Sequence, residues 1–124
     1  MRSRLRLMIV DDHPGVLRAL GRLLAVDHDV VGSFPDASGL LDAVKHLRPD
    51  VIVLDMNLPD IDGLTACRQI TQACPQIKVI VFTAVEDPDV RRRAFEAGAA
   101  DFVHKLASSS DLLTAIKRLD GDSD

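Results

Sequence analysis

Short apolar runs alternate along the chain with longer segments whose apolar residues recur every three or four positions. The runs lack alternating polar residues, and such continuous runs are typical of parallel strands that are covered on both faces. Each run is followed by a segment with helical spacing, which predicts repeated strand–helix units. The predicted fold class is therefore α/β, with a single doubly wound sheet of five parallel strands and five helices. The predicted strands cover residues 5–10, 30–31, 51–54, 79–82 and 100–103.

Local sequence signals set the expected ends of the helices. Asp36 is expected to cap the second helix, and Asp87-Pro88 has the pattern of a cap followed by proline at the first helical position. Ser108 and Asp111 resemble a capping box at the start of the fifth helix. The predicted helices cover residues 14–26, 37–47, 64–73, 88–97 and 109–119.

The length of 124 residues suits one domain. We expect the domain to occupy residues 1–119 and the acidic stretch 120–124 to be a tail or the start of a linker. A hydrophobic content of 47% is enough for a core, whereas an aromatic content of 3% argues against a stacking platform for single-stranded nucleic acid. A net charge of −4 argues against direct nucleic-acid binding by this domain, because phosphate contacts need clustered basic residues.

The cysteines and the lengths of the apolar runs indicate in which compartment the protein is expected. If Cys67 and Cys74 lie on one helix, their spacing corresponds to ~10.5 Å of rise. This exceeds the ~7 Å Cα separation that a disulfide can span. Reduced cysteines are typical of a cytoplasmic protein. No apolar run approaches the ~18 residues that a bilayer span needs, so we expect no membrane partner.

Polar residues capable of chemistry follow four of the five predicted strands. In a parallel sheet these strand ends share one edge, and ligands of open α/β folds bind where the strand order reverses. For the order 2-1-3-4-5 the reversal lies between the first and third strands, which brings Asp11, Asp12 and Asp55 together. The polar residues are Asp11 and Asp12 after the first strand, Asp55 after the third, Thr83 after the fourth and Lys105 after the fifth.

The chemistry of this set favours phosphoryl transfer. Three carboxylates in one cleft repel one another and raise each other's pKa. A hard cation relieves the repulsion, and Mg²⁺ is commonly held by one or two carboxylates together with a phosphate. A carboxylate can also be the nucleophile that forms an aspartyl phosphate. With Lys105 as a mobile positive charge and Thr83 as a hydroxyl donor, the pattern predicts a cation-assisted phosphoryl acceptor. Each residue alone is more often a cap or a surface residue, but five at one edge favour function.

These residues and the motifs around them resemble those of the response-regulator receiver family over nearly the whole chain. The resemblance implies a flavodoxin-like fold and a role in two-component signal transduction. It implies that the domain is not an enzyme in the usual sense, because it promotes only its own phosphorylation and dephosphorylation. The matching segments are Asp11-Asp12, VIVLD ending at Asp55, MNLPDIDG with Leu58-Pro59 and Gly63, Thr83-Ala84, and GAADFVHK ending at Lys105.

The resemblance also implies roles at the acidic cluster. Asp55 would accept a phosphoryl group from a phosphohistidine of a sensor histidine kinase or phosphotransfer protein. Asp12 and Asp55 would bind Mg²⁺ through their carboxylates, and Asn57 would bind it through its backbone carbonyl. Asp11 would act on the same ion mainly through water.

Further roles are implied for the fourth and fifth strands. Thr83 and Lys105 would contact the phosphoryl group, assisted by the backbone N–H of Ala84. Phe102, three residues before Lys105, matches the aromatic switch position of the family. His104, between them, is expected to point away from the site.

The sequence departs from the common receiver pattern after the lysine, where Leu106 replaces a proline that is usually joined by a cis bond. A cis bond before a non-proline residue costs ~3–4 kcal/mol, so we expect Lys105–Leu106 to be trans. Together with the opening Asp-Asp-His-Pro, this departure resembles the receivers of LuxR/FixJ-type helix-turn-helix regulators. That resemblance implies control of transcription through a DNA-binding output domain outside this chain, and a phosphorylation-dependent homodimer.

Three alternatives remain. The stretch DIDGLT at 60–65 resembles the acidic motif of haloacid-dehalogenase-type phosphatases, which also use a strand-end aspartate and Mg²⁺. Against this, it follows a turn at 57–59, and the chain has no room for a cap domain. A degenerate receiver that only docks partners is the second alternative, and the complete set of site residues argues against it. A nucleotide-binding module is the third, but the chain has neither G-x-G-x-x-G nor a P-loop motif. His13, beside the acidic pair, is expected at a helix start and not as a metal ligand.

Overall fold

A computed structural model describes residues 4–85, 87–107 and 109–121, in which strands and helices alternate. The elements are β1 (Arg6–Val10), α1 (Pro14–Leu24), β2 (Asp29–Phe34), α2 (Leu40–Leu47), β3 (Val51–Leu54), α3 (Gly63–Ala73), β4 (Lys78–Thr83), α4 (Pro88–Glu96), β5 (Asp101–His104) and α5 (Ser109–Gly121). The strands form one parallel sheet in the order β2-β1-β3-β4-β5. The predicted fold class and strand order are confirmed.

The core lies on both faces of the sheet, because successive residues of a strand point to opposite sides. Leu7 and Ile9 of β1 pack with α1 and α5 on one face, whereas Met8 and Val10 pack with α2, α3 and α4 on the other. Each aliphatic side chain that is fully buried contributes ~1.5–3 kcal/mol through removal of apolar surface from water. This two-sided burial explains why the inner strands are continuous apolar runs.

The register between β1 and β3 places two acidic residues side by side. Val10 at the end of β1 pairs with Leu54 at the end of β3. One residue further on, the N–H of Asp55 donates to the carbonyl oxygen of Val10 at 2.9 Å. Asp11 and Asp55 therefore begin neighbouring loops at the point where the strand order reverses.

The register between β4 and β5 places the other two polar residues at the same edge. Thr83 pairs with His104, and the N–H of Lys105 donates to the carbonyl oxygen of Thr83 at 2.7 Å. Lys105 therefore leaves β5 directly beside the end of β4.

The start of α2 differs from the prediction. Asp36 does not cap this helix, because its Oδ1 accepts a hydrogen bond from the N–H of Ser38 at 2.9 Å, within a turn. The helix begins at Leu40, after a left-handed Gly39 with φ of 65° that offers no side-chain cap. An aspartate that closes a turn on its own backbone has the same local sequence signature as one that caps a helix, so the pattern was misread.

Two other elements, β2 and α5, are longer than predicted. The edge strand β2 covers Asp29–Phe34 and not only 30–31, since a partly exposed edge strand tolerates Gly32 and Ser33. Helix α5 continues to Gly121, so Asp120 and Gly121 are helical. Residues 122–124, and Ser108 of the predicted capping box, lie outside the described residues.

Cys67 and Cys74 are both free and buried, as expected from their spacing. Burial raises the pKa of the Cys67 thiol to about 11, so this thiol is protonated at neutral pH and a poor nucleophile. The cysteines therefore serve packing.

The remaining expectations concern the backbone and the membrane. No cis peptide bond occurs where the chain is described, so Lys105–Leu106 is trans, as expected. Within that same part of the chain, none of the helices is both long and apolar enough to cross a bilayer.

Candidate functional site

Three carboxylates meet at the edge of the sheet between β1 and β3. Asp11 and Asp55 are almost fully buried, with 1% and 4% of their surface exposed, whereas Asp12 is exposed. Each of the three offers an oxygen, and these oxygens lie within 4.8 Å of one another. The strand ends thus bring together the acidic cluster that the sequence predicts.

Local hydrogen bonds fix one oxygen of each buried carboxylate. Oδ1 of Asp11 accepts from the N–H of His13 at 2.9 Å, and Oδ1 of Asp55 accepts from the N–H of Asn57 at 3.2 Å. Both carboxylates are thereby oriented by their own loops. The Oδ2 atom of each remains directed towards the shared cleft, where both approach Lys105.

Lys105 supplies the positive charge of the site. Its Nζ lies 2.6 Å from Oδ2 of Asp11 and 3.4 Å from Oδ2 of Asp55. The ammonium group also lies 5.9 Å from the centre of the Phe82 ring. The side chain is 20% exposed, so these ion pairs are screened less than surface pairs. One lysine therefore bridges the two buried carboxylates.

The pKa values of the bridged groups reflect this arrangement. Burial raises the pKa of Asp55; the Asn57 N–H opposes this shift, the charge of Asp11 adds to it, and Lys105 opposes it. Burial acts to lower the pKa of Lys105, but Asp11 and then Asp55 outweigh it, and the net pKa is raised. Lys105 therefore remains charged at neutral pH, while the ionised form of Asp55 is held at a cost in free energy.

The donor set fits a hard divalent cation. Oδ2 of Asp11 is buried, and the Lys105 ammonium lies 2.6 Å from it. A carboxylate has about four lone-pair sites, so this oxygen can also accept from a water bound to a cation. Asp12 and Asn57, two of the predicted ligand residues, line one common cavity. All donors are oxygen atoms, as Mg²⁺ prefers.

Thr83 and Phe102 lie on the neighbouring strands. Thr83 is fully buried, and its Oγ1 accepts a hydrogen bond from the N–H of Val85 at 3.1 Å. Phe102 is 9% exposed, and the guanidinium group of Arg91 lies 5.6 Å from its ring centre and 5.5 Å from that of Phe95. An arginine on α4 therefore covers the predicted switch residue.

The ring of His104 makes contacts that the sequence did not reveal. Nε2 lies 3.0 Å from the carbonyl oxygen of Ala84, and Nδ1 accepts from the N–H of Leu106 at 3.1 Å. The residue was expected to point away from the site, and it lines a cavity with Arg91 and Phe102 on the α4 side of β5. Its ring also joins the loops after β4 and β5. Strand alternation alone gives no signal for such a contact between loops.

Other acidic and histidine residues near the site have structural roles. Nδ1 of His13 accepts from the N–H of Val16 at 3.3 Å and caps α1, as expected. Asp62 caps α3 by accepting from the N–H of Leu64, and Asp60 accepts from the N–H of Ala37. The stretch 60–65 therefore supplies helix and loop contacts, and the phosphatase alternative is not supported.

Comparison with known proteins identifies relatives. A family model described as "Response regulator receiver domain" matches residues 7–117. The chain is 35% identical over 116 residues to the response regulator GacA of Pseudomonas viridiflava, covering 91% of this chain and 54% of GacA. It thus spans about half the length of the curated relatives that it matches.

Solved structures of response regulators also resemble this chain. A LuxR-family two-component response regulator from Aurantimonas sp. SI85-9A1 superposes with a TM-score of 0.91 at 32% identity, covering 97% of this chain and 87% of that one. The BeF3-activated receiver domain of DrrB superposes with a TM-score of 0.86 at 31% identity, covering 94% and 97%.

Proposed function

Since the chain belongs to the response-regulator receiver domain family, we propose that it accepts a phosphoryl group on Asp55 in a Mg²⁺-dependent reaction. The observation that carries this assignment is the cluster itself. Oxygens of Asp11, Asp12 and Asp55 lie within 4.8 Å of one another, and the Lys105 ammonium reaches Asp55 at 3.4 Å. Asp55 is the member of this cluster that closes the VIVLD segment, the position at which the family resemblance places the phosphoacceptor.

The cation would be held by the carboxylates of Asp12 and Asp55 and by the backbone carbonyl of Asn57, with Asp11 acting mainly through water. A bound Mg²⁺ would neutralise the repulsion among the carboxylates and the charge on the phosphoryl oxygens. Oδ2 of Asp11 is buried beside Lys105 and has a lone pair left for a water bound by the cation, which supports this arrangement. Asp12 is exposed, which suits a ligand at the open side of the cleft.

The nucleophile would be the Oδ2 atom of Asp55. Its other oxygen is occupied by the N–H of Asn57, so Oδ2 is the oxygen directed towards the cleft. Attack on the phosphorus of a phosphohistidine forms the O–P bond and breaks the P–N bond, and the leaving imidazole takes up a proton. The donor would be a sensor histidine kinase or a phosphotransfer protein.

Lys105 and Thr83 would contact the transferred group. Lys105 lies close enough to Asp55 for its ammonium to pair with a phosphoryl oxygen after transfer. Within the described part of the chain, Oγ1 of Thr83 accepts a hydrogen bond from the N–H of Val85, so the hydroxyl proton remains available as a donor. The N–H of Ala84 would add a further donor.

Phosphorylation would control a partner through a shift between two packings of β4, β5 and α4. A hydrogen bond from Thr83 to the phosphoryl group would draw the loop after β4 inwards, and Phe102 would occupy the space that opens beside it. The partner would be an output domain, most simply a DNA-binding domain, because the curated relatives are about twice as long as this chain. The same change in the packing of β4, β5 and α4 would promote a phosphorylation-dependent homodimer.

The test is incubation of the 124-residue chain with acetyl phosphate and Mg²⁺, followed by intact-mass measurement. The proposal predicts the gain of one phosphoryl group, dependence on Mg²⁺, and loss of the gain in Asp55→Asn. Asp60→Asn is the matched control, since Asp60 is a nearby aspartate with a structural hydrogen bond. Multiple turnover of a small phosphate ester would instead indicate a phosphatase.

A further inference from the structure

The ring of His104 joins the two loops that carry Thr83 and Lys105. We infer that His104 is a positioning residue for the hydroxyl group of Thr83, acting through the peptide bond between Ala84 and Val85. The inference rests on the proposed function and identifies a residue outside the set that the family resemblance assigns. It follows from three hydrogen bonds that form one chain.

The first of these bonds selects the tautomer of the ring. The N–H of Leu106 can only donate, so Nδ1 of His104, at 3.1 Å, must be an acceptor without a proton. The proton of the neutral ring is then on Nε2. Nε2 can therefore donate to the carbonyl oxygen of Ala84, 3.0 Å away. Leu106, which stands where many receivers have proline, supplies an N–H that proline lacks.

The peptide group between Ala84 and Val85, together with the third hydrogen bond, transmits the orientation of the ring to Thr83. The carbonyl of Ala84 and the N–H of Val85 belong to one planar peptide group, so holding one end orients the other. That N–H donates to Oγ1 of Thr83 at 3.1 Å. A donor fixed on one lone pair of Oγ1 restricts the rotation of the hydroxyl, whose own proton is left to point elsewhere.

The consequence concerns the affinity for a phosphoryl group. A hydroxyl that is already restrained loses less rotational entropy when it donates to a phosphoryl oxygen. Removing the His104 ring would free the Ala84–Val85 peptide and, through it, Thr83. The sheet itself does not depend on this ring, because Lys105 and Thr83 remain joined by their backbone bond of 2.7 Å.

Two conservative substitutions separate the two nitrogen atoms of the ring. The amide of His104→Gln can place a donor where Nε2 lies and keep the bond to Ala84. The shorter amide of His104→Asn can replace Nδ1 and keep the contact with Leu106, but it does not reach Ala84. His104→Ala removes both contacts. The inference therefore predicts rescue by glutamine and not by asparagine.

The experiment titrates the 124-residue chain with beryllofluoride in the presence of Mg²⁺ and follows backbone amide signals by NMR. His104→Ala and His104→Asn should bind beryllofluoride roughly two- to tenfold more weakly than wild type, the range expected for loss of one hydrogen bond. His104→Gln should stay within about twofold of wild type. In a Thr83→Ala background, His104→Ala should cause no further loss, because its effect acts through the missing hydroxyl.

The inference is overturned if His104→Ala binds as tightly as wild type. It is also overturned if asparagine restores affinity and glutamine does not, or if the loss is equally large in the Thr83→Ala background. These results leave the phosphoacceptor role of Asp55 standing. A wild-type chain that binds no beryllofluoride would overturn both the inference and the proposed function, so the two failures are distinguishable.

Discussion

Nζ of Lys105 lies 2.6 Å from Oδ2 of Asp11. The distance from Nζ to Oδ2 of Asp55, the proposed phosphoacceptor, is longer at 3.4 Å. Before phosphorylation the lysine therefore neutralises mainly the acidic residue after β1. Lys105 also neutralises part of the negative charge on the carboxylates that a divalent cation would otherwise neutralise. The ammonium and the cation should compete for the same carboxylates, since both relieve the same repulsion.

Replacing the lysine tests this competition. In Lys105→Met the repulsion between Asp11 and Asp55 is unrelieved, so the thermal midpoint without Mg²⁺ should fall and Mg²⁺ should bind several-fold more tightly. Thermal unfolding over a series of Mg²⁺ concentrations gives both quantities. Lys78→Met is the control, because Lys78 is exposed at the opposite end of β4. Equal or weaker Mg²⁺ binding in Lys105→Met would contradict the competition.

The raised pKa of Asp55 predicts that function here opposes stability. The pKa of Asp55 is higher in the folded chain than in the unfolded chain. Protonated Asp55 therefore contributes to the free energy of unfolding below the unfolded pKa, and this contribution is lost as the pH rises through the folded pKa. At neutral pH and without Mg²⁺, Asp55→Asn should therefore raise the free energy of unfolding by more than about 0.5 kcal/mol, the usual limit for neutral surface changes. Urea unfolding measures this gain.

Urea unfolding at low pH tests whether the stability difference between wild type and Asp55→Asn changes with pH in the expected direction. As the pH falls through the Asp55 pKa towards the ordinary aspartate range, Asp55 becomes protonated in the folded state and the difference between wild type and Asp55→Asn should shrink. A difference that is constant with pH, or a variant that is less stable at pH 7, would show that the ionised carboxylate is not strained.

Thr83 should couple phosphorylation to the rest of the fold. Thr83→Ala should still accept a phosphoryl group, because Asp55 and Lys105 are unchanged, but beryllofluoride should produce smaller amide shifts on α4 and β5. Thr83→Ser keeps the hydroxyl and should restore most of the response. NMR of the three proteins makes the comparison, and equal shifts in Thr83→Ala and wild type would exclude Thr83 as the coupling residue.

The face made by α4, β5 and α5 is the expected surface for phosphorylation-dependent self-association. Helix α4 has one buried residue, Ala94, among its nine, so little apolar area anchors it and it is suited to move. All three arginines of this helix are exposed. Arg91 covers the Phe95 and Phe102 rings and Arg92 pairs with Asp89, whereas the described residues show no such contact for Arg93. Arg93→Glu should therefore weaken the beryllofluoride-induced dimer in sedimentation experiments and leave Asp55 phosphorylation intact.

The matched control for that surface lies on α1. Arg18 and Arg22 are exposed on this helix, which with α5 forms the competing face. Charge reversal there should leave the dimer unchanged. Loss of the dimer on reversal at Arg18, with no effect at Arg93, would place the interface on the α1 face.

The strand order and the acidic cluster could be predicted because both follow from short-range patterns. Apolar runs fix the strands, and residues one step beyond parallel strands must share an edge. Asp36 was misassigned because a turn and a helix cap use the same side-chain chemistry. The His104 contact and the closer pairing of Lys105 with Asp11 depend on how two loops meet, which residue spacing along one strand does not encode.

The identity of the phosphorylated residue tests the account most directly. The chain is phosphorylated with acetyl phosphate and Mg²⁺, the acyl phosphate is reduced with borohydride, and the reduced residue is located by peptide mass spectrometry. We predict a single homoserine at position 55, with none at Asp11 or Asp12 and none in a reaction without Mg²⁺. Reduction at another aspartate, or a phosphoryl group that survives in Asp55→Asn, would contradict the assignment of Asp55 as the phosphoacceptor.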